Sequence, residues 1–198
     1  MRFDSTNAPI AMRQIRLADV AVGLLGLTAA AASLWALSGI GGFLGAGLAL
    51  LMLAIAAIDY RYLIIPDELT AAAPVLAVIN AVVAQAPSIV ESVATAALRG
   101  TLTMLFFWGV RWLYKRLRQR EGLGLGDVKL AFVAGAWLDW AMIPVAIEIA
   151  ALAALMAYFA WQIFSGRPLN TTSRLPFALF FAPAIWLSWL LGAVIFAS

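Results

Sequence analysis

Long apolar runs separated by short polar breaks dominate this chain from about residue 17 to its end. A helix needs roughly 17–25 such residues to cross a bilayer. The fifth run is the weakest, because it is short and because Asp139 near its end marks either the far interface or a tight hairpin; a six-span arrangement would re-route this region. The pattern predicts spans at residues 17–37, 38–58, 69–86, 89–113, 128–142, 143–164 and 176–197.

Composition places the chain among membrane proteins. Hydrophobic residues make up 65% of the 198 residues and charged residues only 12%, about half of the charged share in soluble domains. We therefore predict an all-α polytopic membrane protein with about seven (six to seven) transmembrane helices. Residues 1–16 would form a short polar cytoplasmic N-terminus, and residues 17–198 a single membrane-embedded domain. No cleavable signal peptide is apparent.

The chain contains no histidine and no cysteine. This excludes disulfides, cysteine-type zinc sites, cysteine nucleophiles and histidine-based proton transfer. We expect no metal and no cofactor, and a net charge of +3 is too small to indicate nucleic-acid binding. Any chemistry must come from Asp, Glu, Lys, Arg, Tyr, Ser or Thr side chains.

The distribution of basic residues predicts the orientation. Cytoplasmic loops of membrane proteins carry an excess of Lys and Arg, and with a cytoplasmic N-terminus all such residues except Arg99 fall on that side. The opposite loops, around residues 38, 87–88 and 142–144, carry no positive charge. The residues assigned to the cytoplasmic side are Arg2, Arg13, Arg16, Arg61, Arg111, Lys115, Arg116, Arg118, Arg120, Lys129, Arg167 and Arg174.

Two aspartates stand at the ends of apolar segments on this same side. Asp59 closes the second span, and Asp127 follows the glycine-rich stretch of residues 122–126 and opens the fifth. Ionisable groups at membrane depth are costly and therefore indicate function. Because the third and fourth spans form a hairpin that returns to its starting side, the two carboxyl groups can lie side by side. This arrangement predicts a carboxylate dyad that activates water.

Each acidic residue also has a structural interpretation. Asp127 is suited to cap the first turn of its helix, and Asp67, after Pro66, is suited to cap the third span. Asp59 has no such explanation, since it sits at the C-terminal end of its helix, where the dipole disfavours negative charge. This misplacement, beside Arg61, favours Asp59 over Asp67 as the catalytic residue.

Other polar and small residues within the spans predict packing. We expect Arg99 to form a buried ion pair with Glu148, with Glu91 as the competing partner, because an unpaired buried charge is costly. Asp19 is expected either at the membrane interface or as an N-terminal helix charge, with a third acid near the site as the alternative. The Gly41-x-x-x-Gly45 pattern permits close helix approach.

The two aspartate segments and a third segment together resemble the type IV prepilin peptidases, membrane proteases of the Gly-x-Gly-Asp class. The matching residues are Asp59 with Pro66-Asp67, Gly124-Leu-Gly126-Asp127-Val-Lys129, and Arg174-Leu-Pro176-Phe177. The third segment departs from the family pattern, which has glycine where this chain has Ala178. The resemblance covers most of residues 40–197.

The resemblance implies a peptidase that uses Asp59 and Asp127 to cleave the leader of a prepilin at the cytoplasmic boundary of the bacterial inner membrane. Residues expected to support the site or contact substrate are Gly124, Gly126, Lys129, Arg61, Pro66 and Asp67. Larger family members carry a cysteine-containing domain that methylates the new N-terminus. Without cysteine, this chain resembles the compact form associated with tight-adherence (Flp-type) pili, and we expect peptidase activity without N-methyltransferase activity.

Partners beyond the prepilin are expected to be membrane lipids, which the basic run of residues 115–120 would contact through their anionic head groups. The sequence leaves the oligomeric state, the particular pilin and the resting protonation of the dyad open. The main alternative is a small ion-coupled transporter or channel subunit that uses the same carboxylates as ion or proton sites. Against it, both acids lie at one face of the membrane, and no inverted repeat is evident.

Overall fold

A computed structural model describes residues 8–84, 88–120, 122–165 and 176–196, with side chains from Val20 onward except those of Ala84, Ser165 and Phe196. These ranges form helices without any strand, as the apolar pattern predicts. The expectations placed on Arg2, Arg13, Arg16, Asp19, Arg167 and Arg174 lie outside the described side chains. The helices are α1 (Ala8–Ala36), α2 (Ile40–Tyr62), α3 (Asp67–Ala84), α4 (Ile89–Arg118), α5 (Leu125–Trp137), α6 (Met142–Ser165) and α7 (Ala178–Phe196).

Four of these helices, α2, α4, α6 and α7, are long and apolar enough to cross a membrane. The chain is therefore a multi-pass membrane protein, and the predicted all-α fold is confirmed. The predicted weakness of the fifth span is also confirmed. With 13 residues, α5 is about 20 Å long, which is shorter than the hydrocarbon core of about 30 Å.

The segment after α5 settles the role of Asp139. Its carbonyl accepts the backbone amides of Met142 and Ile143, so the chain turns tightly from α5 into α6. Asp139 thus marks a hairpin. This hairpin lies at the end of the bundle opposite the two aspartates.

Five predicted boundaries differ from the structure by three residues or more; two of them are the ends of α2 (Tyr62 instead of residue 58) and of α5 (Trp137 instead of residue 142). Helix α1 already begins at Ala8, within the predicted polar N-terminus of residues 1–16, and α4 continues to Arg118 instead of ending at residue 113. Lys, Arg and Leu are good helix formers, and cations are favoured at helix C-termini, so the polar end of α4 stays helical. Helix α5 begins at Leu125, three residues earlier than predicted, because glycine is tolerated in a first turn.

The short helix α5 occupies the centre of the bundle. It packs against α3, α4, α6 and α7, and most of its side chains are buried, among them Leu130, Ala131 and Val133. Helix α2 packs between α1 and α7. The two helices that carry Asp59 and Asp127 are therefore held by the best-packed part of the molecule.

The predicted ion pair of Arg99 with Glu148 or Glu91 is wrong. Arg99 instead pairs with Asp139, and Glu148 is exposed on α6. The rotation of α5 about its own axis explains the difference, because it decides which side chains meet Arg99. Gly135 allows α5 to lie directly against the backbone of Arg99, and the turn that follows α5 brings the Asp139 carboxylate to the guanidinium.

Candidate active site

Asp59 lies on the last turn of α2 and is buried, with 5% of its surface exposed. Its own carbonyl accepts the amide of Leu63, which takes a left-handed conformation (φ 53°) and ends the helix. Its side-chain Oδ2 accepts the backbone amide of Leu179, 3.1 Å away, at the start of α7. The Asp59 carboxylate is thus fixed by a helix other than its own.

This contact gives Asp59 a structural explanation that sequence reasoning missed. The carboxylate is misplaced at the C-terminus of α2, but it faces the N-terminus of α7, where unpaired amides and the helix dipole favour negative charge. Pro176 and Phe177 immediately precede α7, and the Phe177 carbonyl begins its hydrogen bonding. The Pro-Phe segment therefore positions the amides that hold Asp59.

Asp127 is the third residue of α5 and is also buried, with 8% exposure. Its Oδ2 accepts the backbone amide of Gly124, 3.1 Å away. Gly124 is the N-cap residue, so the expectation that Asp127 itself is the N-cap is wrong by three positions. The carboxylate nevertheless satisfies an amide at the helix N-terminus, as the structural interpretation required.

The two carboxyl groups lie close enough to interact electrostatically. Burial raises the pKa of Asp127 to about 6, the hydrogen bond from Gly124 opposes this, and the neighbouring charge of Asp59 adds to the rise. Repulsion between like charges favours protonation of one partner. The helices thus bring together the pair of aspartates that the sequence selected.

The glycines before Asp127 permit close packing of the preceding loop. A Cβ on Gly126 would lie 2.7 Å from Cδ1 and 3.0 Å from Cβ of Ile65, in the segment between α2 and α3. A Cβ on Gly122 would lie 2.5 Å from the Tyr114 ring. Gly126 therefore allows the chain beyond Asp59 to touch the helix that carries Asp127.

Four other predicted residues lie around this core of the site. Lys129 forms an ion pair with Asp67 that links α5 to α3, and both side chains are exposed. Arg61 is exposed on the last turn of α2, and Pro66 precedes α3, with its carbonyl accepting Thr70. Lys129 and Asp67 thus bind each other at the exposed edge of the site.

Arg111 on α4 is a site residue that the sequence analysis counted only for topology. It donates a hydrogen bond to the Leu123 carbonyl in the glycine-rich loop, and its positive charge lowers the pKa of Asp127. One signal in the sequence could have identified Arg111, since it is the first cation after the apolar stretch of α4. Because the chain turns back after α4, the glycine-rich loop returns to the membrane depth of Arg111.

The site is formed by carboxylates, backbone amides and one guanidinium. In the described part of the chain, no three acidic side chains converge in a way that would hold a metal ion. A shallow groove of about 320 Å³ lies beside the site, between α3, α4 and α5, and the Lys129–Asp67 pair is at its edge. The arrangement places two buried carboxyl groups, each held by a backbone amide, within electrostatic reach of each other.

Comparison with known proteins yields one family. The model of the type IV leader peptidase family matches residues 46–160, a range that includes both aspartates but not the Pro176-Phe177 segment. No solved structure matches the chain significantly.

Curated relatives support the same assignment. A prepilin leader peptidase/N-methyltransferase of Burkholderia pseudomallei (strain 1026b) is 36% identical over 138 residues, which cover 69% of this chain and 42% of that protein. The protein of the same description from Dichelobacter nodosus is 31% identical, covering 73% and 47%. The one from Xanthomonas campestris pv. campestris is 30% identical, covering 81% and 54%. The chain thus spans about half the length of these relatives.

Proposed function

The chain belongs to the type IV leader peptidase family, and we propose that it is an aspartic endopeptidase that removes the leader peptide from prepilins. The observation that carries this proposal is the pairing of two buried carboxyl groups, Asp59 and Asp127, on different helices. Each is oriented by a backbone amide at a helix N-terminus. A purely structural role would not need both buried acids within electrostatic reach of each other.

The proposed reaction is hydrolysis without a covalent intermediate. One carboxylate of the dyad, ionised, takes a proton from a water molecule held between Asp59 and Asp127, and the water oxygen attacks the scissile carbonyl. The other, protonated, donates a hydrogen bond to that carbonyl, and the dyad passes the proton taken from water to the leaving amine as the peptide bond breaks. Such a dyad shares one proton, because two neighbouring carboxylates resist ionising together.

Backbone anchoring prepares the dyad for this task. The amides of Leu179 and Gly124 fix the direction of the carboxylates before substrate arrives, so little reorganisation is needed in the transition state. Arg111 supplies a positive charge near Asp127 through the loop that it binds. We assign Arg111 the role of positioning the loop before Asp127, and we assign the proton transfers to Asp59 and Asp127.

The substrate that we propose is a Flp-like prepilin with a short basic leader ahead of an apolar helix. The aspartates would face the cytoplasm of a bacterium at its inner membrane, where the leader emerges from the bilayer. The apolar helix of the substrate would pack against the enzyme within the lipid. The alternative of an ion-coupled transporter gains no support from the site, since both acids lie at helix ends and not at mid-depth.

The proposal is tested by the variants Asp59→Asn and Asp127→Asn in cells that co-express a prepilin. Asparagine keeps an oxygen that can accept the Leu179 or Gly124 amide, so the fold should persist while proton transfer is lost. We expect each variant to process the precursor about 10²- to 10⁴-fold more slowly. Immunoblotting resolves precursor from mature pilin by size.

Asp67→Asn is the matched control, because Asp67 lies nearby but is exposed and paired with Lys129. We expect it to retain most of the activity. Normal processing by both Asp59→Asn and Asp127→Asn would exclude the dyad, and loss of processing only in Asp67→Asn would move the catalytic role to the start of α3.

A further inference from the structure

A second polar cavity lies at the end of the bundle opposite the aspartates. It measures about 500 Å³ and lies between α3, α4, α5 and α7, within the roughly 300–1,000 Å³ of typical ligand sites. The α5–α6 turn and Leu37, the residue after α1, border it. The proposed cleavage reaction has no use for this cavity.

Two residues that line the cavity carry polar atoms without hydrogen-bond partners among the described residues. The hydroxyl of Ser188, a fully buried residue of α7, forms no hydrogen bond, and neither does Nε of Arg99 on α4. An unpaired polar group that is buried lowers the stability of the fold. A polar ligand that completes these bonds would remove this cost.

The charges of the cavity select the kind of ligand. Among the described residues, its lining contains one cation, Arg99, and two carboxylates, Asp139 and Glu91, so the charged groups of this lining sum to one negative charge. Guanidinium groups bind phosphate through paired hydrogen bonds, and the surplus carboxylate favours an ammonium group beside it. A ligand with only negative charge would have to enter between Asp139 and Glu91.

The position of the cavity indicates that its ligand is the head group of a membrane lipid. Trp137 and Trp189 line it, and Trp35 and Trp140 are exposed at the same end of the bundle. Tryptophan is enriched at the level of lipid head groups. Apolar residues such as Leu37 and Met142 in the same lining can contact the glycerol and the first acyl carbons.

We propose that this cavity binds the phosphoethanolamine head group of a phospholipid. Arg99 and Ser188 contact the phosphate, and Asp139 and Glu91 contact the ammonium. This assignment does not rest on the proposed peptidase activity, and binding is measured without a cleavage assay.

The test is native mass spectrometry of the purified full chain in detergent, with phosphatidylethanolamine, phosphatidylglycerol and phosphatidylcholine added in equal amounts. We expect one phosphatidylethanolamine to be retained in preference to the other two. Ser188→Ala, which removes the unpaired hydroxyl, and Arg99→Lys, which keeps the charge beside Asp139 without the planar donor edge, should each reduce retention about five- to tenfold.

Ala193→Phe fills the cavity without changing its charge, so we expect it to abolish retention even if a change at Arg99 disturbs the fold. Ala157→Phe adds the same volume on the exposed face of α6 and should bind like the wild type. Equal retention of the three lipids, preference for phosphatidylglycerol, no retained lipid (water only) or undiminished binding by Ala193→Phe would each overturn the proposal.

Discussion

At the scale of single residues, the site depends on carboxylates that are stabilised by backbone and destabilised by burial. Asp59 and Asp127 each accept one amide from a helix start, yet both are removed from water. An acid that a fold keeps buried at such a cost is a candidate for catalysis. From the same burial we can predict how the stability of the protein depends on pH, and this prediction can be tested without substrate.

The protonation of Asp127 should make the stability of the protein depend on pH. Its pKa is about 6 in the folded protein, above the value of 3.8 for a free aspartate, so the folded state holds the proton more tightly. The contribution of this group to the free energy of unfolding is greatest below about pH 4. It falls by about 3 kcal/mol as the pH rises to about 6 and stays low above that.

Asp127→Asn removes this titration while keeping an acceptor for Gly124. We expect the variant and the wild type to unfold at similar temperatures at pH 4, and the variant to be the more stable at pH 7.5. Thermal unfolding in detergent, followed by circular dichroism, measures the difference. A variant less stable than the wild type at pH 7.5 would show that ionised Asp127 strengthens the fold.

At the scale of elements, close helix packing depends on particular glycines. Gly45 on α2 faces the Trp189 ring on α7, and an added Cβ would lie 1.8 Å from it. Gly41, the other member of the predicted pair, has only Leu37 near it, at 3.7 Å. Gly45 therefore permits the close contact between α2 and α7, whereas Gly41 makes no such contact.

Gly45→Ala should destabilise the protein by about 1–3 kcal/mol, because the methyl group overlaps a buried indole. Gly41→Ala is the control and should be neutral or slightly stabilising, since alanine favours helix. Unfolding midpoints report both effects. Combining Gly45→Ala with Trp189→Phe should restore part of the loss, and equal midpoints for the two single variants would contradict the packing described.

Gly126 joins the two motifs of the site, so its substitution should affect activity. In Gly126→Ala the new methyl group must displace Ile65 and with it the segment after Asp59. We expect a loss of prepilin processing of about tenfold to 100-fold, as for small displacements of catalytic groups. Processing rates in membranes measure it.

The double variant Gly126→Ala with Ile65→Ala should recover much of this activity, because it removes Cδ1 and Cγ1 of Ile65, which lie 2.7 and 3.0 Å from the position of the added methyl group. Gly109→Ala, at a glycine with open space around it, is the matched control and should process normally. If the double variant were as slow as Gly126→Ala alone, the loss would have to arise from the backbone of the glycine-rich loop.

At the scale of the whole molecule, the bundle separates two polar regions. The aspartates lie at one end, at the C-terminus of α2 and the N-termini of α5 and α7. The cavity with Arg99 lies at the other, and the apolar side chains of α5 fill the space between them. The orientation of the molecule therefore decides which compartment each region meets.

Single cysteines can establish this orientation, because the chain has none of its own. Arg120→Cys lies beyond α4 at the aspartate end, and Ala141→Cys lies in the α5–α6 turn at the other end; both positions are exposed. In intact cells with a permeabilised outer membrane, a membrane-impermeant maleimide should label Ala141→Cys but not Arg120→Cys. Lysed cells, which should label both, provide the control, and the reverse pattern would place the aspartates outside the cytoplasm.

Much of this molecule follows from its sequence alone. The lengths of the apolar runs predicted each helix to within a few residues at most ends, because helix formation in a membrane is governed by local hydropathy and backbone hydrogen bonding. The same local rules predicted the weakness of the fifth segment, but they left Asp139 either at the far interface or in a tight hairpin, and the structure shows the hairpin. The motif residues singled out Asp59 and Asp127, which the fold brings close together.

The partners of the polar groups were decided by tertiary structure. The sequence gives no rotation for a helix that is apolar on nearly all sides, so it could not foresee that Arg99 meets Asp139, that Lys129 meets Asp67, or that Asp59 faces the start of α7. Each of these contacts depends on how side chains such as Trp189 and Ile65 fit against glycines on neighbouring helices. Local chemistry makes the helices, and close packing determines which of their faces meet.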